Sequence, residues 1–489
     1  MPGALDKIGH IVVVMLENRS FDNMLGFLYA GENNSPPRKL PMQSPPTFAG
    51  LTTGSDMYWN PANPEFFSQG AAPDKVFATA GTTGPAPFQV PDPDPNEAFA
   101  NFNFQLFGDT ATPGADQTPT MLGFLVDYQT AKGSNPDLAG QIMQSYSPEQ
   151  VPVLSELARN YAVSDAWFAS APAQTWPNRA FMHAGTARGE VTNGNVWAYA
   201  TKTIFEVLEN VGADWAIYKN TELPSLTQLQ YPLLTRFLPH IRHFSKFQSA
   251  AKNGSLPRYS FIEPSFFFQP DDQHPPHDVA LGEQFIWDVW TALTSGPKWN
   301  ETLLVITYDE HGGCYDHVPP PWGAATPDAA SNPGMFGFRF DRFGVRVPSV
   351  VISPYIEPGT VFRSPTGVPC DHTTILATLR DWLSIPPEWM LPSQRVSAAP
   401  TLEFLLTRDE ARADLPAIPA PARPKVVMRT LEDLTRPLND LQFSMLVAVQ
   451  AAKLHRDLIP EEISQLRQHV PTKGLAQAFF KAAGLLGPV

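Results

Sequence analysis

Two polar pairs, Glu17-Asn18 and Asp309-Glu310, each stand directly after a β-branched apolar run, HIVVVML (10–16) and TLLVITY (302–308). Runs of that kind read as buried strands. In α/β sheets ligands gather at the carboxyl ends of strands, so two such pairs on neighbouring strands would converge on one cation. Carboxylate and amide oxygens suit a hard divalent ion, Ca2+, Mg2+ or Mn2+. An added imidazole would move the preference towards Zn2+. Any one of these acids alone is an ordinary helix cap; the repetition at two strand ends is what points to a metal.

Further chemistry-bearing residues cluster nearby. DEHGGCYDHVPPP (309–321) places His311, Asp316 and His317 beside the second pair, with Gly312-Gly313 free to turn sharply next to a ligand. In QTWPNRAFMHAGT (174–186), Pro177 suits the first turn of a helix and puts Thr175 at or just before its start. A hydroxyl there faces free N–H groups and the positive end of the helix dipole, which suits a nucleophile. Capping alone is the plainer role for Thr175. Asn178 and Arg179 could hold phosphate oxygens, and Arg179 could equally brace a carboxylate. DDQHPPHD (271–278) offers His274 and His277 as phosphate donors or as the acid for a leaving group, with Asp278 as a helix cap. Asp371, His372 and Thr373 open a further helix and are expected to orient the site or cap that helix.

The elements that must position these residues form an α/β core with a largely buried sheet. Beyond the two strands above, 347–353, 214–218 and 258–263 read as strands. Helices are predicted over 149–160, 177–187, 278–294, 372–383 and much of 429–486. Residues 31–120 lack a clear period and read as a loop-rich excursion covering part of the site. The expected organisation is a catalytic core over 1–385, a Pro-rich wrapping arm over 386–424 and a helical segment over 425–489 packed on the core. The 52 prolines and 32 glycines fit long ordered loops. A net charge of −14 argues against nucleic acid as a partner. Two cysteines, Cys314 and Cys370, allow at most one bridge. No apolar run is long enough to span a bilayer, and Phe266-Phe267-Phe268 is expected to pack in the core rather than touch lipid. The start lacks a signal-peptide layout, so the chain is expected to be cytoplasmic, or secreted or periplasmic if a leader was trimmed.

ENRSFD (17–22), TWPNR (175–179), DDQHPPHD (271–278), DEHGGCYDHVPPP (309–321) and DHTTIL (371–376) together resemble the bacterial phosphoesterase family. That family includes non-specific phospholipases C and a related acid phosphatase that inhibits the respiratory burst. The resemblance covers roughly residues 8–385. It implies an alkaline-phosphatase-like α/β sandwich, with a central mostly parallel sheet flanked by helices and long loop insertions. It implies a nucleophile at Thr175 and a covalent phospho-threonine intermediate. It also implies metal ligation by Glu17, Asn18, Asp309, Glu310 and Thr175, and a substrate-contacting His274.

The expected activity is therefore metal-assisted phosphoric ester hydrolysis of the phospholipase C type, with His274 or His311 protonating the leaving alcohol. Many relatives carry a histidine in a DP-x-H-like stretch, where this chain has Asp92-Pro93-Asp94-Pro95-Asn96. That departure, with a chain that stops soon after the core, keeps a small phosphomonoester as the alternative substrate. A sulfatase ranks low because Thr175 cannot supply a formylglycine. A calcium-binding surface protein is the non-enzyme alternative.

Overall fold

From His10 to Leu16 every residue is buried, and the same holds from Thr302 to Tyr308. Strands covered on both faces have no polar side to show, which is why these segments read as continuous apolar runs. The computed structural model describes residues 3–68, 72–131, 136–194, 197–421 and 434–486.

Among them, nine strands form one sheet. Its spatial order is Arg38–Leu40, Thr360–Phe362, Ala162–Ser164, Ser349–Ile352, Thr302–Tyr308, His10–Leu16, Tyr259–Glu263, Trp215–Lys219 and Ile241–His243. The pairing is parallel except at Ser349–Ile352, which runs antiparallel to both neighbours. His10 lies opposite Thr302 and Leu16 opposite Tyr308. This register makes Glu17 and Asp309 emerge side by side. The sheet is the mostly parallel, helix-flanked α/β layer the sequence predicts.

Helices Pro152–Asn160, Val279–Thr294 and Thr373–Trp382 fall where the apolar spacing places them, and Asp278 caps its helix by accepting from Ala280 N at 2.9 Å. One start differs: the helix expected from 177 begins at Thr175, after Gln174, and ends before the left-handed Gly185. Pro177 is thus its third residue, a position where its missing N–H is still not needed. The excursion 31–120 is not loops alone. It adds the edge strand Arg38–Leu40 to the sheet, and its helix Phe99–Phe107 brings Gln105 into the core. Three residues are too short for an alternating pattern to be legible.

From the 386–424 arm, Arg395 reaches Asp371 at 3.2 Å and the carbonyls of Ser170 and Phe340; residues 422–424 lie outside the described residues. The C-terminal segment forms helices Asp440–Leu454, Pro460–His469 and Lys473–Ala482; its predicted start at 429–433 also falls outside. Phe266 and Phe267 are buried, and Cys314 and Cys370 are free, buried thiols. None of the described helices is long and apolar enough to cross a membrane.

Asp165, just past the Ala162–Ser164 strand, ties together the three strands at one end of the sheet. It accepts from Lys39 Nζ at 2.5 Å, Ala49 N at 2.9 Å and Arg363 Nε at 2.8 Å. Burial alone would raise its pKa, but the Arg363 hydrogen bond and the Lys39 charge outweigh burial and hold it below the ordinary carboxylate value. Burial pulls Lys39 down against the attraction of Asp165, so the acid dependence of the pair is carried by the carboxylate. Because the folded pKa is depressed, the stabilisation is complete above the unfolded value of about 4 and is lost as pH falls through the folded value. Asp165→Asn is expected to cost about 3 kcal/mol at pH 7, since it leaves a buried lysine without its counter-charge. Urea melts should show the gap between variant and wild type closing below pH 4. A gap independent of pH would refute this assignment.

Candidate active site

The two strand ends meet through the backbone first. Asn18 N donates to Asp309 Oδ1 at 2.9 Å, and Asp309 N donates to the Leu16 carbonyl at 3.2 Å. Asn18 is held at φ +50°, a left-handed conformation that asparagine tolerates better than most residues. Gly312, at φ +58°, packs against it: a Cβ there would lie 2.4 Å from the Asn18 carbonyl oxygen. The glycine pair predicted to turn beside a ligand is therefore required by close approach, Gly312 to Asn18 and Gly313 to the Asn96 carbonyl and Pro95.

Thr175, the first residue of its helix, points its hydroxyl at the same place. Its Oγ1 lies 3.3 Å from Glu17 Oε2 and 3.4 Å from Asn18 Oδ1. Arg179, one helical turn on, donates from Nε to Glu17 Oε1 at 2.8 Å, adds a second bond from Nη2 to that oxygen, and reaches the Met15 carbonyl. Glu17, Asn18, Thr175, Arg179, Asp309 and Glu310 are all fully buried.

Of the two roles read for Arg179, the structure has it brace a carboxylate. Asn178, expected as a phosphate contact, is committed to backbone instead. It accepts from Ala171 N and donates to the carbonyls of Ala171, Ala173 and Gln174. It shapes the turn that aims Thr175.

Electrostatically the site has an excess of negative charge. Burial, together with Asp309 and Asp272, raises the pKa of Glu17 well above normal despite Arg179. Burial and Asp309 do the same to Glu310. Asp309 Oδ2 is buried without a hydrogen-bond partner among the described residues. An orphaned carboxylate oxygen beside two more oxygen donors and a hydroxyl is the donor set of a hard divalent cation. Glu17, Asn18, Thr175 and Asp309 could hold one. Glu310 faces another way: Oε1 accepts from Asn18 Nδ2 at 2.8 Å and Oε2 from Gly312 N at 2.7 Å.

The histidines take separate places. His372 donates from Nε2 to the Asp309 carbonyl at 2.7 Å, so it orients that residue. His311 donates from Nε2 to Gln105 Oε1 at 2.8 Å and packs at a tilt against Phe102. His274 donates from Nδ1 to the Pro275 carbonyl at 2.7 Å. Burial pushes both His274 and His311 down to about 3. Burial thus favours the neutral imidazole at both positions. His277 pairs with Asp272 at 2.7 Å.

The 309–321 motif also divides. Asp316 and His317 join Asp22 around Arg346, with His317 Nδ1 2.6 Å and Arg346 Nη2 2.9 Å from Asp22 carboxylate oxygens. The guanidinium already supplies the positive charge a metal would bring there.

Two groups of site residues escape a reading of the sequence. Asp94 and Glu97 arrive from the loop-rich excursion, where Glu97 accepts from Asn18 Nδ2. The acidic, Pro-rich DPDPNE (92–97) is the signal that could have found them. The helix Asp440–Leu454 and its cap Asn439 cover the site: Ser444 Oγ accepts from Trp176 Nε1 at 2.8 Å, Gln442 bonds the Phe266 carbonyl, and Asn439 reaches His274 at 3.3 Å. No local pattern predicts that contact.

A protein-family model described as the phosphoesterase family matches residues 8–386. Non-specific phospholipase C1 of Arabidopsis thaliana is 36% identical over 419 residues, covering 83% of this chain and 72% of its own length. Non-specific phospholipase C6 of the same plant is 33% identical, covering 97% of this chain and 87% of its own. Phospholipase C B of Mycobacterium tuberculosis is 29% identical, covering 79% and 75%.

Proposed function

The chain belongs to the phosphoesterase family and is a phosphoester hydrolase, and from that premise we propose that it cleaves phospholipids as a phospholipase C, with Thr175 as nucleophile. The observation that carries this reading is the Thr175 hydroxyl, set at a helix start within reach of Glu17 Oε2 and Asn18 Oδ1 and beside the orphaned Asp309 oxygen. Glu17 Oε2 is the acceptor in reach of the hydroxyl proton. Arg179 fixes the Glu17 carboxylate so that its other oxygen faces Thr175. The freed alkoxide attacks phosphorus in line, the phosphorus–oxygen bond to diacylglycerol breaks as the departing oxygen takes a proton from water, the proton on Glu17 is released to solvent in exchange, and a phospho-threonine forms that water later hydrolyses. N–H groups of the Thr175–Ala184 helix lie at the end of the macrodipole that favours phosphoryl charge. A divalent cation held by Glu17, Asn18, Thr175 and Asp309 would supply Lewis-acid polarisation of the phosphoryl group.

The phospholipase relatives favour a phospholipid over a small monoester, which is the second reading. A panel comparing phosphatidylcholine vesicles with p-nitrophenyl phosphate separates them. Turnover on the lipid is expected to be at least about tenfold faster in kcat/KM, a preference of about 1.4 kcal/mol. Chelation should abolish turnover on both substrates and lower the melting temperature, because a cation at about 100 times its Kd stabilises the fold by about 2.7 kcal/mol. Full activity in chelator would remove the cation from the reading, and faster monoester cleavage would reverse the substrate assignment.

A further inference from the structure

Beside the group around Thr175 lies a second set of donors whose needs the described residues leave unmet. One nitrogen of His274 and one carboxylate oxygen each of Asp94 and Glu97 lie within 4.8 Å of one another. Atoms that share an ion at about 2.0–2.2 Å stand no more than about 4.4 Å apart, a little inside that limit. Asp94 Oδ1, Glu97 Oε1 and His274 Nε2 are buried and make no hydrogen bond among the described residues. Glu97 is 2% exposed and His274 is fully buried.

Buried carboxylates are costly unless a counter-charge meets them. Asp440 adds negative field here, and Glu310 stands against Glu97. Of the two arginines nearby, Arg179 pairs with Glu17; Arg19 bonds the neutral oxygens of Gln273, Val90 and Asn23, and although its charge opposes the raised pKa of Asp94, it makes no hydrogen bond to either carboxylate among the described residues.

His274 is oriented as metal-binding histidines are. The Pro275 carbonyl can only accept, so Nδ1, which also stands 3.6 Å from Asp94 Oδ1, carries the proton, and Nε2 keeps a free lone pair. Asn18 divides the two groups, with Oδ1 facing Thr175 and Nδ2 donating to Glu97 and Glu310.

We propose that Asp94, Glu97 and His274, with Glu310 alongside, seat a second divalent cation next to the one assigned to Glu17, Asn18, Thr175 and Asp309. Its role rests on the proposed phosphoryl transfer, but its binding does not. The mixed carboxylate and imidazole set selects Mn2+ or Zn2+ over Ca2+, whereas the first set is all oxygen. Two adjacent cations would clamp the attacking and leaving oxygens of an in-line displacement from both sides.

The test uses the full chain, stripped with chelator and titrated with MnCl2 by calorimetry and electron paramagnetic resonance. Wild type is expected to bind two equivalents with a spin-coupled signal. Glu97→Gln should bind one equivalent, with the second weakened at least about 100-fold and the coupling lost. Asp309→Asn should lose the other equivalent. Circular dichroism checks that each variant is folded, and anomalous diffraction from Mn2+-soaked wild-type crystals needs no variant: two peaks are expected. One peak beside Thr175, or one equivalent lost in Asp309→Asn and kept in Glu97→Gln, would overturn the second seat while leaving the proposed function standing. No binding by wild type would overturn both cation assignments.

Discussion

Replacing Thr175 with alanine is expected to lower kcat by about 10^4-fold or more while leaving the protein folded. The loss should fall on kcat rather than KM, because the hydroxyl forms the bond to phosphorus and does little to hold the substrate. The fold should survive because the hydroxyl makes only long hydrogen bonds, 3.3 Å to Glu17 and 3.4 Å to Asn18, so stability should change by no more than about 1 kcal/mol. Thr175→Ser keeps the nucleophile and should keep most of the activity. Rapid acid quenching of wild type with substrate should leave a phosphate on the peptide that contains Thr175, and none on the alanine variant. Activity of Thr175→Ala within about tenfold of wild type would rule out covalent catalysis at this residue.

The second large effect is on stability. Arg179→Met is expected to cost about 3–5 kcal/mol, because it strands a buried Glu17 carboxylate among Asp309 and Asp272. Packing would be nearly conserved, since the guanidinium lies 5.3 Å over the Phe266 ring, where a thioether also sits well. The cause can be isolated with a cycle. Adding Glu17→Gln to Arg179→Met removes the stranded charge and should restore most of the loss, giving a coupling of a few kcal/mol between the two sites. Arg179→Lys should restore little, because one ammonium cannot reproduce bonds from Nε and Nη2 together. Denaturant melts of the four proteins measure this. Additive losses would mean that Arg179 acts through packing and not through Glu17.

Both predictions concern residues that local sequence pattern already marks. Glu17, Asn18 and Asp309 stand at the ends of strands so apolar that few other assignments suit them, and Thr175 stands before a proline-marked helix. The roles of Asn178, His274 and His311 are not legible in the same way. Each has the right chemistry for substrate, but Asn178 is consumed by backbone groups, and burial disfavours the charged form of both histidines. Whether a polar side chain faces substrate or scaffold depends on neighbours far along the chain.

Composition and local pattern are therefore enough to determine the α/β core, the two strands that carry the polar pairs and the helix that carries Thr175. Those features arise from side-chain periodicity and backbone stereochemistry over a few residues, and the chain spells them out locally. Tertiary structure alone decided how the 309–321 motif splits, with Asp309 and Glu310 going to the site and Asp316 and His317 going to Arg346. It alone brought in Glu97 from an aperiodic loop and laid the Asp440–Leu454 helix over Trp176 and His277. Strand order and loop path are set by packing across hundreds of residues, and no spacing within a motif encodes them.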